Sequence, residues 1–183
     1  MTDDAGRALF RPAAERSTRA NVARTLLQAS VFWALFVVVL PLAIAAAERA
    51  LGLARSAPTG HVPFGLTLIV VFGALNVWAG LVMAVVGRGT PLPLDTARVL
   101  VVRGPYRFVR NPMAIGGLGA GLGVGVALSS PGVACMVVVG ALLWHTVARP
   151  VEERDLAARF GDDYARYRGA VRNWWPRARP YDG

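Results

Sequence analysis

Residues 113–148 read MAIGGLGAGLGVGVAL, then SS, then PGVACMVVVGALLWHTVA, with no Asp, Glu, Lys or Arg in the run. Ser129 and Ser130 separate two apolar stretches, Met113–Leu128 and Pro131–Ala148, by a turn too short for anything but antiparallel neighbours. Pro131 suits the first turn of the second helix, where a backbone N–H has no partner in any case. Outward from this pair, two longer apolar stretches precede it, Thr25–Ala47 and Val62–Val86. Each reaches the roughly 20 residues needed to cross about 30 Å of hydrocarbon. The expected fold is an all-α integral membrane protein of about four transmembrane helices, the last two forming a hairpin.

Composition agrees. The chain has 183 residues, 55% of them apolar and 17% charged, with a mean hydropathy of +0.45. A soluble domain carries about a quarter charged residues. A single cysteine, Cys135, excludes an intramolecular disulfide and a thiolate cluster. His61 and His145 are the only histidines, too few for an ordinary zinc site. Net charge is +9 and every basic residue is arginine. These arginines flank the apolar runs, which suits topology and anionic headgroups and not nucleic acid. The lipid bilayer is the partner this pattern implies.

The arginines also orient the chain. Arg7, Arg11, Arg16, Arg19 and Arg24 precede the first stretch, and five more lie between Gly87 and Pro112. Eight follow from Arg149 onward, against only Arg49 and Arg55 on the opposite side. The positive-inside rule then places both termini in the cytoplasm of a bacterial inner membrane. Ile44–Ala47 resembles a signal-peptide cleavage region, but the apolar part is too long, so the stretch is expected to be retained. Three regions follow: residues 1–20 as a flexible cytoplasmic segment, 21–87 as two transmembrane helices, and 88–183 as the region that carries chemistry.

The tail has a helical pattern. Leu156, Phe160, Tyr164, Tyr167 and Val171 fall within an arc of about 80° at helical spacing, with Arg159, Asp162 and Arg166 opposite. Gly161 weakens this cytoplasmic amphipathic helix or divides it in two. Trp174 and Trp175, flanked by Arg172 and Arg177, suit the interface belt. The tail is therefore expected to fold against the membrane surface.

Polar residues concentrate in Val101–Pro112 and in His145–Leu156, which the tight hairpin brings to one membrane face. In continuous helical phase, His145, Arg149, Glu152 and Glu153 lie within about 100° of one another, although Pro150 interrupts the helix. The plain reading is an Arg149–Glu153 ion pair without a ligand; the functional reading is a binding site. Gly117, Gly121 and Gly125 share one face, which serves close helix packing or a flat ligand lying on bare backbone.

Together and in order, these segments resemble the isoprenylcysteine carboxyl methyltransferase and phospholipid methyltransferase superfamily. The similar part, roughly Arg88 to Pro180, comprises Gly89-Thr90-Pro91 and Arg103-Gly104-Pro105-Tyr106-Arg107-Phe108-Val109-Arg110-Asn111-Pro112-Met113. After the hairpin come Glu152-Glu153, Leu156, Phe160-Gly161, Tyr164, Tyr167 and Trp175-Pro176-Arg177. The resemblance implies a membrane enzyme that uses S-adenosylmethionine at the cytoplasmic face to methylate a lipophilic or lipid acceptor, a carboxylate or an amine. It also implies cofactor contacts from Arg107, Arg110, Asn111, Pro112, Glu152 and Glu153, and from Gly117 and Gly119 in a glycine-x-glycine element. The carboxyl methyltransferase pattern is Arg-His-Pro-x-Tyr; here Asn111 and Ala114 stand at the His and Tyr positions, and the Asn-Pro-Met form resembles the phospholipid branch, which also keeps the tyrosine. With an amine acceptor, which must lose a proton, His145 or a glutamate becomes a candidate catalytic base. Two other readings are a nicotinamide-cofactor reductase of related architecture and a non-catalytic protein that retains the scaffold.

Overall fold

A computed structural model describes residues 17–53, 56, 58–90 and 96–183. Residues 1–16, which make up most of the expected flexible segment, lie outside the described residues, as do Arg55 and Pro91. The described residues are helical, with no strand among them. They form α1 (Thr18–Ala50), α2 (His61–Val86), α3 (Pro112–Ala127), α4 (Pro131–Leu143) and α5 (Arg149–Ala170). The first helix begins earlier than its apolar stretch, because Ser17 caps it by accepting a hydrogen bond from the Ala20 N–H at 3.2 Å.

Two prolines that would break these helices are absorbed instead. Pro41 in α1 follows a wide π-type turn at Ala34–Val39, where the Leu40 N–H reaches back five residues to the Leu35 carbonyl. Pro150 follows the same device at Trp144–Ala148, with the Arg149 N–H bonded to the Trp144 carbonyl. A proline cannot donate the usual bond and crowds the preceding turn; one wider turn accommodates both problems. The helix therefore continues through the expected interruption at Pro150. Its apolar portion ends at Ala148, and the charged α5 extends beyond it.

Among the described residues, three helices are long and apolar enough to cross a membrane: α1, α2 and the Pro131–Ala170 run. Large apolar side chains such as Leu27, Val31, Val70, Val138 and Leu142 project outward from them, as lipid-facing surfaces require. α3, the expected third span, is as short as its apolar stretch. Its 16 residues reach about 24 Å, against about 30 Å of hydrocarbon.

Glycines let α3 press against its neighbours. A Cβ at Gly123 would lie 2.8 Å from the Gly65 carbonyl oxygen, and one at Gly116 would lie 2.8 Å from the Asn76 nitrogen. Asn76 adds polar ties, accepting from Trp33 Nε1 at 3.3 Å and donating to the Met113 carbonyl at 2.8 Å. One amide thus joins α1, α2 and α3. At the opposite end, Ser129 turns with φ +50°, and Ser130 caps α4 through the Val133 N–H at 3.1 Å. Glu48 of α1 accepts from the Gly132 N–H at 2.6 Å and from the Ser130 hydroxyl, putting a carboxylate at a helix N-terminus.

The tail folds back on the protein. Tyr164, Tyr167 and Val171 are buried against Leu100, Val102, Leu156, Phe160 and Tyr181, so the apolar stripe closes on the loop before α3. Gly161, with φ +48° and ψ −125°, bends α5 between its two halves. The C-terminal segment then runs antiparallel to that loop: Arg110 N–H to the Arg172 carbonyl (3.0 Å), Arg177 N–H to Phe108 (2.9 Å) and Tyr181 N–H to Arg107 (3.0 Å).

Candidate functional site

The loop ahead of α3 enters from a short helical turn at Gly104–Arg107 and reaches α3 at Pro112. Ala97, Val101 and Tyr106 on this loop bury against Ala79 of α2, with Val82, Met83 and Met113 around them. α5 closes over the opposite side. Between them lies a cavity of about 60 Å³, its polar wall formed by Tyr106, Arg110, Asn111, Glu152, Glu153 and Tyr164.

Glu153 is the electrostatic hub. Only 8% exposed, its carboxylate meets Arg110 Nη1 at 2.8 Å, Arg149 Nη1 at 3.4 Å and Arg168 at 3.6 Å. Arg110 Nη1 also donates to the Tyr164 hydroxyl at 3.4 Å. The plain Arg149–Glu153 pair is thus present, but as the weaker part of a three-arginine cluster. Removing the carboxylate would leave Arg110 buried without a counter-charge, a change that costs about 3–5 kcal/mol in comparable sites. Glu153 therefore supports folding at least as directly as any ligand.

Glu152 is different, with its carboxyl lining the cavity. Burial first, then the neighbouring Glu153 and Asp155, push it up to about 7, against the opposing pull of Arg159 and Arg110. Burial, and next Glu152, also raise the Tyr106 phenol well above its ordinary range. Burial likewise raises Tyr164 and Tyr167. These hydroxyls stay protonated at neutral pH, and each keeps a proton it can donate.

Several buried polar atoms here have no partner: the Tyr106 hydroxyl, Arg110 Nε and Asn173 Nδ2. A buried donor left unmade costs about 1–3 kcal/mol. Two such atoms, the Tyr106 hydroxyl and Arg110 Nε, belong to residues that line one cavity.

The expected residues divide. Arg110, Asn111, Glu152 and Glu153 come together at the cavity, and Pro112 is buried beside them as the first residue of α3. Asn111 donates to the Asn173 Oδ1, tying the loop to the C-terminal segment. Arg107 turns to that segment as well, bonding the Tyr181 carbonyl at 2.8 Å and pairing with Asp182. Gly117 and Gly119 face α2: a Cβ at Gly119 would lie 2.3 Å from the Phe72 ring, and one at Gly117 would approach Asn76 Nδ2 at 3.7 Å. The glycine-x-glycine element lies against α2, and Gly121 and Gly125 meet Val137, Val133 and Ala134 of α4. His145 sits in the π-type turn, where its Nδ1 accepts from Trp174 Nε1 at 3.0 Å and its ring stacks on that indole. That turn carries the imidazole off the cavity wall.

Sequence reasoning did not single out Tyr106, which lines the cavity, although it stands within the quoted motif. It placed Tyr164 and Tyr167 on an apolar stripe without seeing that they wall a cavity. Tyr167 donates to the Tyr106 carbonyl at 2.7 Å, locking α5 to the loop. Asn173 gave no signal, since its pairing joins segments 62 residues apart.

A family model described as phospholipid methyltransferase matches residues 61–163, more than half of the chain. The match runs from the first residue of α2 to just past the Gly161 bend, and so includes the whole loop and both glutamates. No curated protein matches the chain, and no solved structure does.

Proposed function

We propose, on the premise that this chain belongs to the phospholipid methyltransferase family, that it transfers a methyl group from S-adenosylmethionine to a lipophilic acceptor. The reaction takes place at the cytoplasmic face of a bacterial inner membrane. In this reading α1 and α2, within residues 21–87, form a platform for residues 88–183, and α3 with the Pro131–Ala148 stretch forms a hairpin that completes four spans with both termini inside.

The observation that carries the proposal is the donor set at the cavity. Arg110 Nε is a buried N–H without a partner, suited to a carboxylate. Glu152 supplies a carboxyl for an ammonium or for ribose hydroxyls, and Met83, Val101 and Leu156 supply apolar walls. These residues fit the chemical parts of the cofactor. When bound, that cofactor supplies a methyl group on a sulfonium, open to in-line displacement. The protein's contribution is then largely alignment, a source of several kcal/mol of rate enhancement. With an amine acceptor, Glu152 is the cavity group whose titration near neutrality suits proton removal.

A cavity of about 60 Å³ holds a few waters, so admitting an adenosyl compound requires the walls to part. The half of α5 beyond Gly161 carries Tyr164 and Tyr167 and is the wall with a bend at its root.

The test is calorimetric titration of the purified protein in detergent with S-adenosylhomocysteine, in parallel with a nicotinamide dinucleotide. Saturable binding of the first alone supports the proposal. Binding of the second alone points to a reductase, and binding of neither to a non-catalytic scaffold. Orientation is read separately from impermeant thiol labelling of Ala165→Cys in a Cys135→Ser background. Labelling from outside intact cells would overturn the cytoplasmic placement.

A further inference from the structure

Tyr106 is fixed on every side except at its hydroxyl. Its ring packs within the buried cluster of Ala79, Ala97 and Val101. Its N–H donates to the Arg103 carbonyl at 3.1 Å, and its carbonyl accepts from Tyr167 at 2.7 Å. The hydroxyl at the far end is buried and has no partner. A phenylalanine would give the same packing without an orphaned donor, so packing alone does not explain the tyrosine.

Hydrogen-bond accounting narrows what would satisfy it. The phenol is held protonated by burial and by Glu152, so its O–H needs an acceptor. Glu152 on α5, lining the same cavity, needs donors when ionised. An ammonium offers only donors and would leave the phenol proton unpaired. A carboxylate offers only acceptors and would meet Glu152 as a like charge. A hydroxyl does both, accepting from Tyr106 and donating to Glu152. Arg110 Nε, the other orphaned group, can only donate and suits a carboxylate.

We propose that Tyr106 and Glu152 form a subsite for a ligand hydroxyl. Resting on the cofactor reading above, the hydroxyl belongs to the ribose of the adenosyl group, with the amino-acid carboxylate directed to Arg110. Tyr106 is then a ligand-contacting residue that sets which way round the cofactor lies.

The experiment titrates wild type and Tyr106→Phe, both in detergent, with S-adenosylhomocysteine and with its 2′-deoxy and 3′-deoxy analogues. Tyr106→Phe is expected to bind the parent compound about tenfold more weakly, in the range of one lost hydrogen bond. For at least one deoxy analogue the two proteins should bind alike, because the partner of the phenol is already gone. The unliganded variant should melt at the wild-type temperature or above it. Glu152→Gln reads the same subsite from its other side and should show the same selectivity for the ribose hydroxyl. Unchanged affinity in Tyr106→Phe overturns the proposal, as does equal weakening toward all three ligands or a lower melting temperature in the unliganded variant. If wild type binds none of the three, the cofactor reading itself falls and this subsite with it.

Discussion

Replacing Glu152 with glutamine tests whether the cavity holds a carboxyl against the interest of stability. The structure raises this group from 4.5 to about 7, chiefly by burial. Between those values the folded protein keeps a proton that the unfolded chain releases, so rising pH favours unfolding throughout that window. A separation of this size corresponds to about 3 kcal/mol at full effect, and less to the extent that the cavity admits water. Glutamine has the same shape and carries no charge at any pH. Glu152→Gln is therefore expected to match wild type near pH 4.5 and to exceed it by about 2–3 kcal/mol at pH 8. The assay is denaturant unfolding in mixed micelles at several pH values, followed by tryptophan fluorescence. The same variant should bind S-adenosylhomocysteine more weakly, the pattern of a group kept for binding at the expense of stability. A wild-type–variant difference that does not change with pH, or a variant less stable at every pH, would refute the reasoning.

Asn76→Ala should lower stability by about 1–2 kcal/mol, because the Trp33 N–H and the Met113 carbonyl lose their shared partner; SDS-induced unfolding measures it, and an unchanged midpoint would contradict it. His145→Gln should reduce stability by about 1 kcal/mol through the lost Trp174 bond. Its methyl-transfer rate against pH, normalised to bound cofactor, should superimpose on wild type; a displaced profile would return the imidazole to the chemistry. Gly161→Ala should cost about 1–3 kcal/mol, since φ +48° with ψ −125° is strained for any residue with a Cβ. The surrounding space is open, so a neutral result in a thermal melt would show that the bend relaxes.

The helical class was legible because uncharged apolar runs are long-range features that no local detail can undo. That Arg110, Asn111, Glu152 and Glu153 meet at one cavity was legible because a two-residue turn leaves their segments little freedom to part. Where the structure places residues differently, the causes are specific. His145 was placed by ideal helical phase, and the π-type turn at Trp144–Ala148 altered that phase just where it mattered. Gly117 and Gly119 carry no side chain by which sequence could tell a ligand face from a packing face; only the nearness of Asn76 and Phe72 decides. Tyr106 was hidden because an aromatic in a motif reads as core until its hydroxyl is found without a partner. The pairing of the C-terminal segment with the loop depends on backbone groups, which have no sequence signature.

The brevity of α3 bears on how the chain is assembled. A helix of 16 residues spans less than the hydrocarbon layer, and glycines line its faces toward both α2 and α4. It offers lipid little to hold, and its backbone fits closely only against partners. During synthesis α2 is already in place when α3 emerges, with Gly65 and Asn76 waiting as docking points. The amide of Asn76, awkward in lipid by itself, finds the Met113 carbonyl only once α3 arrives. The two helices are thus expected to enter the bilayer as a joined pair, and the loop that carries Arg110 is brought to the membrane surface by that pairing before α5 exists to close over it.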